Sequence, residues 1–206
     1  ITVYPRPSVL KTIQDKNQQK IFFTENNIPT AKHLYFKSKA EFLKFSKDNH
    51  VDFPCVWKKT KFGYDGYGVK KLNSLTEINK LTDCKFIIEE YVPFKKELAT
   101  TVVRNDSGEI EIFPLVEMMF NPKSNQVEYV LCPAQVEDEI FENAKQIALN
   151  VTKAFKNIGL LAVEMFLTVD NKIIVNEVAP RPHNSAHYSI EACISSQFDQ
   201  HIRSIL

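Results

Sequence analysis

Apolar positions along this 206-residue chain switch between two periods, and the switching predicts most of its elements. The stretch EDEIFENAKQIALNVTKAFKNIG, from Glu137 to Gly159, is the clearest helix. Ile140, Ala144, Ile147, Ala148, Val151 and Phe155 form one apolar stripe, acids fill the first turn, and Gly159 takes the C′ position. Before it, ELATTVVRNDSGEIEIFPLVEMMF alternates as antiparallel strands do, with a turn at 105–108. After it, LLAVEMFLTVDNKIIVNEVAP reads as a hairpin, and SIEACISSQFDQHIRSIL returns to helix.

The first ninety residues carry shorter segments. Asp15 with Gln18 has the spacing of a capping box and starts a short helix through about Glu25. AKHLYFKS is a strand, and Ser38 with Glu41 starts a second helix carrying Phe42 and Phe45 on one face. FPCVWKKT and YGVKKL are strands around a glycine loop. Ser74 with Glu77 caps another short helix, and KFIIEEYV is a buried strand. The expectation is an α+β protein of two lobes: a helical segment over 1–30, a small lobe over 31–92 and a larger one over 93–206.

Composition narrows the function. A hydrophobic fraction of 44% and a net charge of +1 describe an ordinary globular chain, not one built to grip a polyanion. Residues 1–61 hold 12 Lys/Arg against 5 Asp/Glu, so a basic third faces a mildly acidic remainder. That asymmetry suits a small anion with a metal at least as well as DNA. Cys55, Cys84, Cys132 and Cys193 have no C-x-x-C pair and read as reduced, mostly buried thiols of a cytoplasmic protein. No apolar run reaches the roughly 18 residues of a membrane span.

The candidate chemistry begins in the hairpin. A two-residue loop at Asp170–Asn171 makes paired numbers sum to 341, which sets Glu164 opposite Glu177. Opposed like charges destabilise a sheet unless something neutralises them, and Mg²⁺, which takes one or two carboxylates plus phosphate oxygens, does so. A solvated pair, or one carboxylate bonded to a nearby lysine or arginine, is the competing reading. KFGYDGYG, residues 61–68, holds three of the five glycines. It lies between strands, so it suits a flap whose backbone N–H groups cover phosphates rather than a Rossmann turn. IIEEYV puts Glu89 and Glu90 at a strand end, eight residues before Glu97. APRPHNSAHYS stiffens a loop carrying Arg181 and His183 directly after Glu177.

Lys16 after QD, Lys58 five residues before GYDGYG, EEYVPFKKE, Glu164 and NEVAPRPHNSAHYSIEACISSQFDQHIR together resemble the ATP-grasp family. Within it they are most similar to the N5-carboxyaminoimidazole ribonucleotide synthetases, ATP-dependent carboxylases of purine biosynthesis. Biotin carboxylases and D-alanine ligases have Asn where this chain has Ala179, and NSAHY separates it from the formate-using transformylase with a similar PRPH. The resemblance implies ATP between the two lobes, with Lys16 and Lys58 on its phosphates and the 63–68 flap (Gly63, Gly66, Gly68) over them. It implies Glu89, Glu90, Tyr91 and Val92 as the adenine hinge, Glu97 on the ribose, Phe120 and Asn176 in the nucleotide site, and Mg²⁺ on Glu164 and Glu177. Tyr64, Asp65, Arg181 and His183 then face aminoimidazole ribonucleotide, which is carboxylated with bicarbonate through carboxyphosphate. Two positions depart from the pattern: Phe62 stands where members carry glycine, and Phe120 where many carry histidine. Members have flanking N- and C-terminal domains outside this stretch and are commonly homodimeric. Another ATP-grasp ligase with a different acceptor is the alternative, and a nucleic-acid-binding module is a distant third.

Overall fold

The computed structural model describes residues 2–63, 68–121 and 126–206. Tyr64, Asp65 and Gly66 lie outside them. Two antiparallel sheets organise the chain. The smaller is made of β1 (His33–Phe36), β2 (Cys55–Lys59), β3 (Val69–Leu72) and β4 (Phe86–Glu90), in the order β1-β4-β2-β3. The larger is made of β5 (Phe94–Arg104), β6 (Ile110–Ile112), β7 (Val116–Phe120), β8 (Val127–Leu131), β9 (Gly159–Thr168) and β10 (Ile173–Ala179). Its order is β10-β9-β5-β7-β8, with β6 beside β5.

Period-two alternation decides which residues go to which face of each sheet. The large sheet is buried on both faces over part of its length, with Ala99, Thr101, Leu160 and Ala162 on the second face beside the C-terminal helix Gln197–Ile205. In the small sheet, Cys55, Trp57, Leu72, Phe86 and Ile88 bury against Phe42 of α3 (Lys39–Asp48) and Ile78 of a 3₁₀ turn (Leu75–Lys80). The same alternation turns Val56, Lys58 and Glu89 to the other face. In the large sheet, Leu98, Val102, Leu161, Val163, Met165, Val175 and Val178 pack under α4 (Asp138–Phe155), whose stripe of Ile140, Ala144, Ala148, Val151 and Phe155 is buried as expected, with Ile147 at its margin. Glu97, Glu164 and Phe166 emerge on the opposite face. The N-terminal helices α1 (Pro7–Ile13) and α2 (Lys16–Glu25) join the larger core, where Phe22 stacks on Phe155 at 4.0 Å.

Several local expectations change. Asp15 does cap α2, its Oδ1 accepting from the N–H groups of Asn17 and Gln18. Ser38 caps α3, but Glu41 reaches past it to the Lys37 N–H at 2.6 Å. Helix α4 stops earlier than a C′ glycine at 159 requires, because Lys156 turns left-handed (φ 49°) and ends it. Gly159 opens β9 instead. It takes φ 93° with the His201 ring so close that a Cβ would lie 2.8 Å from Cε1, so only glycine fits. The C-terminal helix comes in two pieces, α5 (Ser189–Ala192) and α6 (Gln197–Ile205). Of the four free thiols only Cys55 is fully buried. Among the described residues no helix is long and apolar enough to cross a membrane.

Candidate active site

The carboxylate pair is where the hairpin pattern puts it, by a route the pattern does not contain. The β9–β10 loop has three residues, 169–171. Thr168 is bonded to Lys172 across it, and Asn171 closes it left-handed at φ 64°. Beside the loop, paired numbers therefore sum to 340, as in Met165 opposite Val175. A β-bulge at Asn176 then inserts one residue, after which Glu164 stands opposite Glu177. The odd loop and the bulge cancel. A bulge also re-aims side chains, and here the consecutive residues Asn176 and Glu177 both face the space between the sheets.

That space is a cleft of about 980 Å³. Apart from Gly68, every expected site residue that is among the described ones lines it. Gly68 is tied to the strand stem, its carbonyl accepting from the Lys59 N–H at 2.8 Å with φ 83°. The sequence reading missed Lys71, Asn73, Glu77 and Phe166, which line the cleft too. Lys71 and Phe166 carried a usable signal, since alternation puts them on the inner faces of β3 and β9. Asn73 and Glu77 carried none. Val56, Val69, Val92 and Phe166 give part of the wall an apolar surface, and Phe94 stacks on Phe166 at 4.6 Å. Lys71 Nζ lies 3.9 Å above the Tyr91 ring.

Charges meet in pairs across the floor. Lys16 Nζ bonds Glu177, which realises the competing reading of a carboxylate held by a lysine while leaving the two glutamates opposed. Lys58 Nζ donates to Glu89 Oε2 at 2.8 Å and to Asn176 Oδ1 at 2.9 Å. Burial works to raise the Glu177 pKa, but Lys16, Lys58 and His183 outweigh it and bring the carboxyl to about 2. Burial likewise pulls the Lys16 ammonium down, and Glu177, with Glu89 and Glu164 behind it, leaves it above its ordinary value. Glu97 has the opposite fate. Burial, then Glu164 and Glu177, push it up to about 7 against the pull of Lys58.

Glu164 is met by His183 Nε2 at 3.1 Å. His183 Nδ1 lies 3.3 Å from the Ser185 backbone N–H, which can only donate, so the ring proton of a neutral imidazole belongs on Nε2, facing Glu164. The loop holding His183 is clamped by Gln197, a fully buried residue of α6. Its Oε1 accepts from the His183 N–H at 2.8 Å and its Nε2 donates to the His183 carbonyl at 2.9 Å. Arg181 is exposed at the cleft mouth, with Nη1 on the Pro182 carbonyl. Opposed carboxylates offer the hard oxygen donors that Mg²⁺ takes, and no third acid, histidine or cysteine completes a protein-only cage among the described residues. The two opposed carboxylates therefore fit a hard divalent cation such as Mg²⁺.

Two unlike antiparallel sheets thus close on a cleft that Lys58 enters from the small sheet, Lys16 from α2 and the paired glutamates from the large sheet. The family model of the ATP-grasp domain matches residues 21–198, and the chain belongs to the ATP-grasp family. It is similar to a phosphoribosylaminoimidazole carboxylase of Candida glabrata, 37% identical over 210 residues that cover all of this chain and 36% of that protein. An N5-carboxyaminoimidazole ribonucleotide synthase of Synechococcus elongatus is 35% identical, over 98% of this chain and 51% of that one. Among solved structures, an N5-carboxyaminoimidazole synthase of Aspergillus clavatus in complex with ADP and 5-aminoimidazole ribonucleotide matches with a TM-score of 0.88. It is 33% identical, over 99% of this chain and 54% of that one. The chain thus spans about a third of the first of these relatives and about half of the second.

Proposed function

We propose that this chain is the ATP-grasp portion of an enzyme that carboxylates 5-aminoimidazole ribonucleotide to its N5-carboxyamino derivative, consuming ATP and bicarbonate in purine biosynthesis. The observation that carries this reading is the pairing of Glu164 with Glu177 under Lys16 and Lys58, in a cleft of the size a nucleotide needs. The Aspergillus clavatus relative, solved with ADP and the ribonucleotide, supports the choice of acceptor.

In this reading Lys16 and Lys58 neutralise the transferring phosphoryl group and the 63–68 loop covers it, which is the positioning and electrostatic work phosphoryl transfer asks of a protein. Glu89 to Val92 border the adenine with Phe120 and Asn176 nearby, and Glu97 takes the ribose. Glu164 and Glu177 hold Mg²⁺, which supplies charge neutralisation at the phosphates. His183 fixes Glu164 and, with Tyr64, Asp65 and Arg181, borders the acceptor. ATP phosphorylates bicarbonate with release of ADP. The carboxyphosphate formed transfers its carboxyl group to the exocyclic amine with release of inorganic phosphate and the amine proton, the cleft holding the reactants together. The working protein is a cytoplasmic homodimer that includes the parts its relatives carry beyond this stretch.

The test is ADP release by the full-length protein with MgATP and bicarbonate, with and without aminoimidazole ribonucleotide. Strong stimulation by the ribonucleotide is expected. ADP release indifferent to it would assign another acceptor, and none from folded protein would overturn the reading.

A further inference from the structure

Lys20 has no part in that reading, yet it is among the most deeply buried cations of the molecule, only 2% exposed. Burying an ammonium costs several kcal/mol unless partners compensate. Its Nζ donates to Thr30 Oγ1 at 2.7 Å and lies 3.4 Å from Glu89 Oε1. That oxygen accepts no hydrogen bond, so Lys20 is the cation answering it. The Thr30 hydroxyl in turn donates to the Val175 carbonyl at 2.9 Å, and Val175 is the last regular residue before the bulge. The next residue, Asn176, accepts from Lys58, which returns to Glu89. These contacts form a closed ring. It ties β2 and β4 of the small sheet to β10 of the large one at the floor of the cleft.

We propose that Lys20 is a positioning residue for nucleotide turnover: by holding one oxygen of Glu89 it leaves the other to aim the Lys58 ammonium, and it couples that aim to the bulge presenting Asn176 and Glu177. The proposal rests on the reading of Lys58 as a phosphate-binding lysine. A buried Glu89 without Lys20 draws on Lys58 alone and pulls it away from phosphate. Such a shift of a charged group costs rate more than ground-state affinity, because charge on the transferring group grows toward the transition state.

The ring also carries a pH signature. Burial, then Lys58 and Lys16, bring the Lys20 ammonium down to about 8 against the pull of Glu89. The titratable groups around it are Glu89 on β4, Lys58 on β2, Lys16 on its own helix, and His33 on β1. Burial and Lys20 lower the pKa of His33, so the imidazole is neutral well below that range. Below pH 8 Lys20 is charged and the ring is closed. Above it the proton leaves and the whole of the Glu89 charge falls on Lys58.

The experiment is steady-state kinetics in ATP between pH 6 and 9.5, with calorimetric MgADP binding, on the full-length protein and its Lys20→Met, Lys20→Arg, Thr30→Val and Lys58→Met variants. Lys20→Met should lose about 10- to 100-fold in kcat with a much smaller change in the KM for ATP. The native protein should lose activity as pH rises through about 8, and Lys20→Arg, charged throughout, should lack that limb. A folded Lys20→Met with native kcat, or a Lys20→Arg that keeps the native limb, overturns the proposal. If Lys20→Met does not fold, Lys20→Arg and Thr30→Val decide, the latter opening the ring without removing charge and expected to lower kcat in the same direction. Lys58→Met separates the two levels. If it abolishes turnover while Lys20→Met does nothing, positioning by Lys20 fails and the phosphate reading stands. If Lys58→Met itself binds and turns over normally, the phosphate reading fails.

Discussion

Glu89 and Glu97 line one cleft, come from its two walls, and are driven in opposite directions. Glu89 belongs to the small sheet and is 3% exposed. Burial pushes its carboxyl up, but Lys58 and Lys20 prevail and keep it ionised below its ordinary range. Glu97 belongs to the large sheet, has Glu164 and Glu177 for neighbours, and titrates near 7. The acid of the small-sheet wall is thus neutralised by Lys58 of its own sheet together with Lys20 of α2. The large-sheet wall has gathered more negative charge than it can neutralise. A polyanion bound with a divalent cation completes both walls at once, which neither phosphate alone nor metal alone achieves.

The largest effect should come from removing charge on the large-sheet wall. Glu177→Gln eliminates one of the two opposed carboxylates and frees Lys16 from its partner. On the proposed reading several kcal/mol of stabilisation at the transferring phosphoryl group then disappears, about 10³-fold in rate. The ligand-free protein is destabilised as well, because the carboxylate that Lys16 holds at about 2 against its burial no longer answers that partly buried ammonium. ADP release and the magnesium dependence of ATP binding measure it. An unchanged magnesium dependence in both Glu177→Gln and Glu164→Gln would show that the cation is held elsewhere.

An intermediate effect should appear in stability, with a sign set by Glu97. Its folded pKa of about 7 exceeds the ordinary 4.5, so the folded state binds the proton more tightly than the unfolded chain. Below pH 4.5 both states are protonated and the site costs nothing. Stability falls as pH rises from 4.5 through 7, and above 7 the full cost is present. The gap corresponds to about 3 kcal/mol, reduced by the water that reaches a half-buried group. Glu97→Gln should therefore stabilise metal-free protein at pH 8 by about 1–2 kcal/mol and leave it unchanged at pH 4.5. Urea unfolding at the two pH values checks this, and equal effects at both would remove Glu97 from the crowded cluster.

How much of this was legible in the chain depends on the range of the forces involved. Alternation reaches a few residues, so most strands and the stripe of α4 were readable, while Lys58 and Glu97 entered the site through the family resemblance. The opposition of Glu164 and Glu177 was readable only because two unforeseen features cancel. Thr168 Oγ1 accepts from the Lys172 N–H and so supports the longer loop, and Asn176 adds the compensating residue. Lys20 was invisible, because one lysine on a short polar helix looks solvated until Glu89 arrives from a distant strand. The same holds for Gln197, whose buried amide answers a backbone it meets only after folding. Helix α1 had a proline at its first turn as its one signal, and β8 is a five-residue strand at the end of its sheet.

The smallest effect separates the loops that cap the two walls. Each contains a non-glycine residue in the left-handed region: Asn171 at φ 64° between β9 and β10, and Phe62 at φ 61° after β2. Asparagine is suited to that conformation, and Asn171 further accepts from Lys95 Nζ at 2.6 Å. Phenylalanine is not suited, and Phe62 is 92% exposed, so no burial offsets its strain. Left-handed backbone costs a residue with a Cβ about 1–2 kcal/mol. Glycine relieves this while giving back about 0.5–1 kcal/mol in unfolded-state entropy. Phe62→Gly should therefore stabilise the ligand-free protein by somewhat under about 1 kcal/mol, whereas Asn171→Gly should be neutral or slightly destabilising. If Phe62→Gly instead destabilises by more than its entropy term, the exposed ring makes a contact worth more than the strain it imposes. A loss of ATP affinity in Phe62→Gly without a loss of stability would place that contact on the nucleotide.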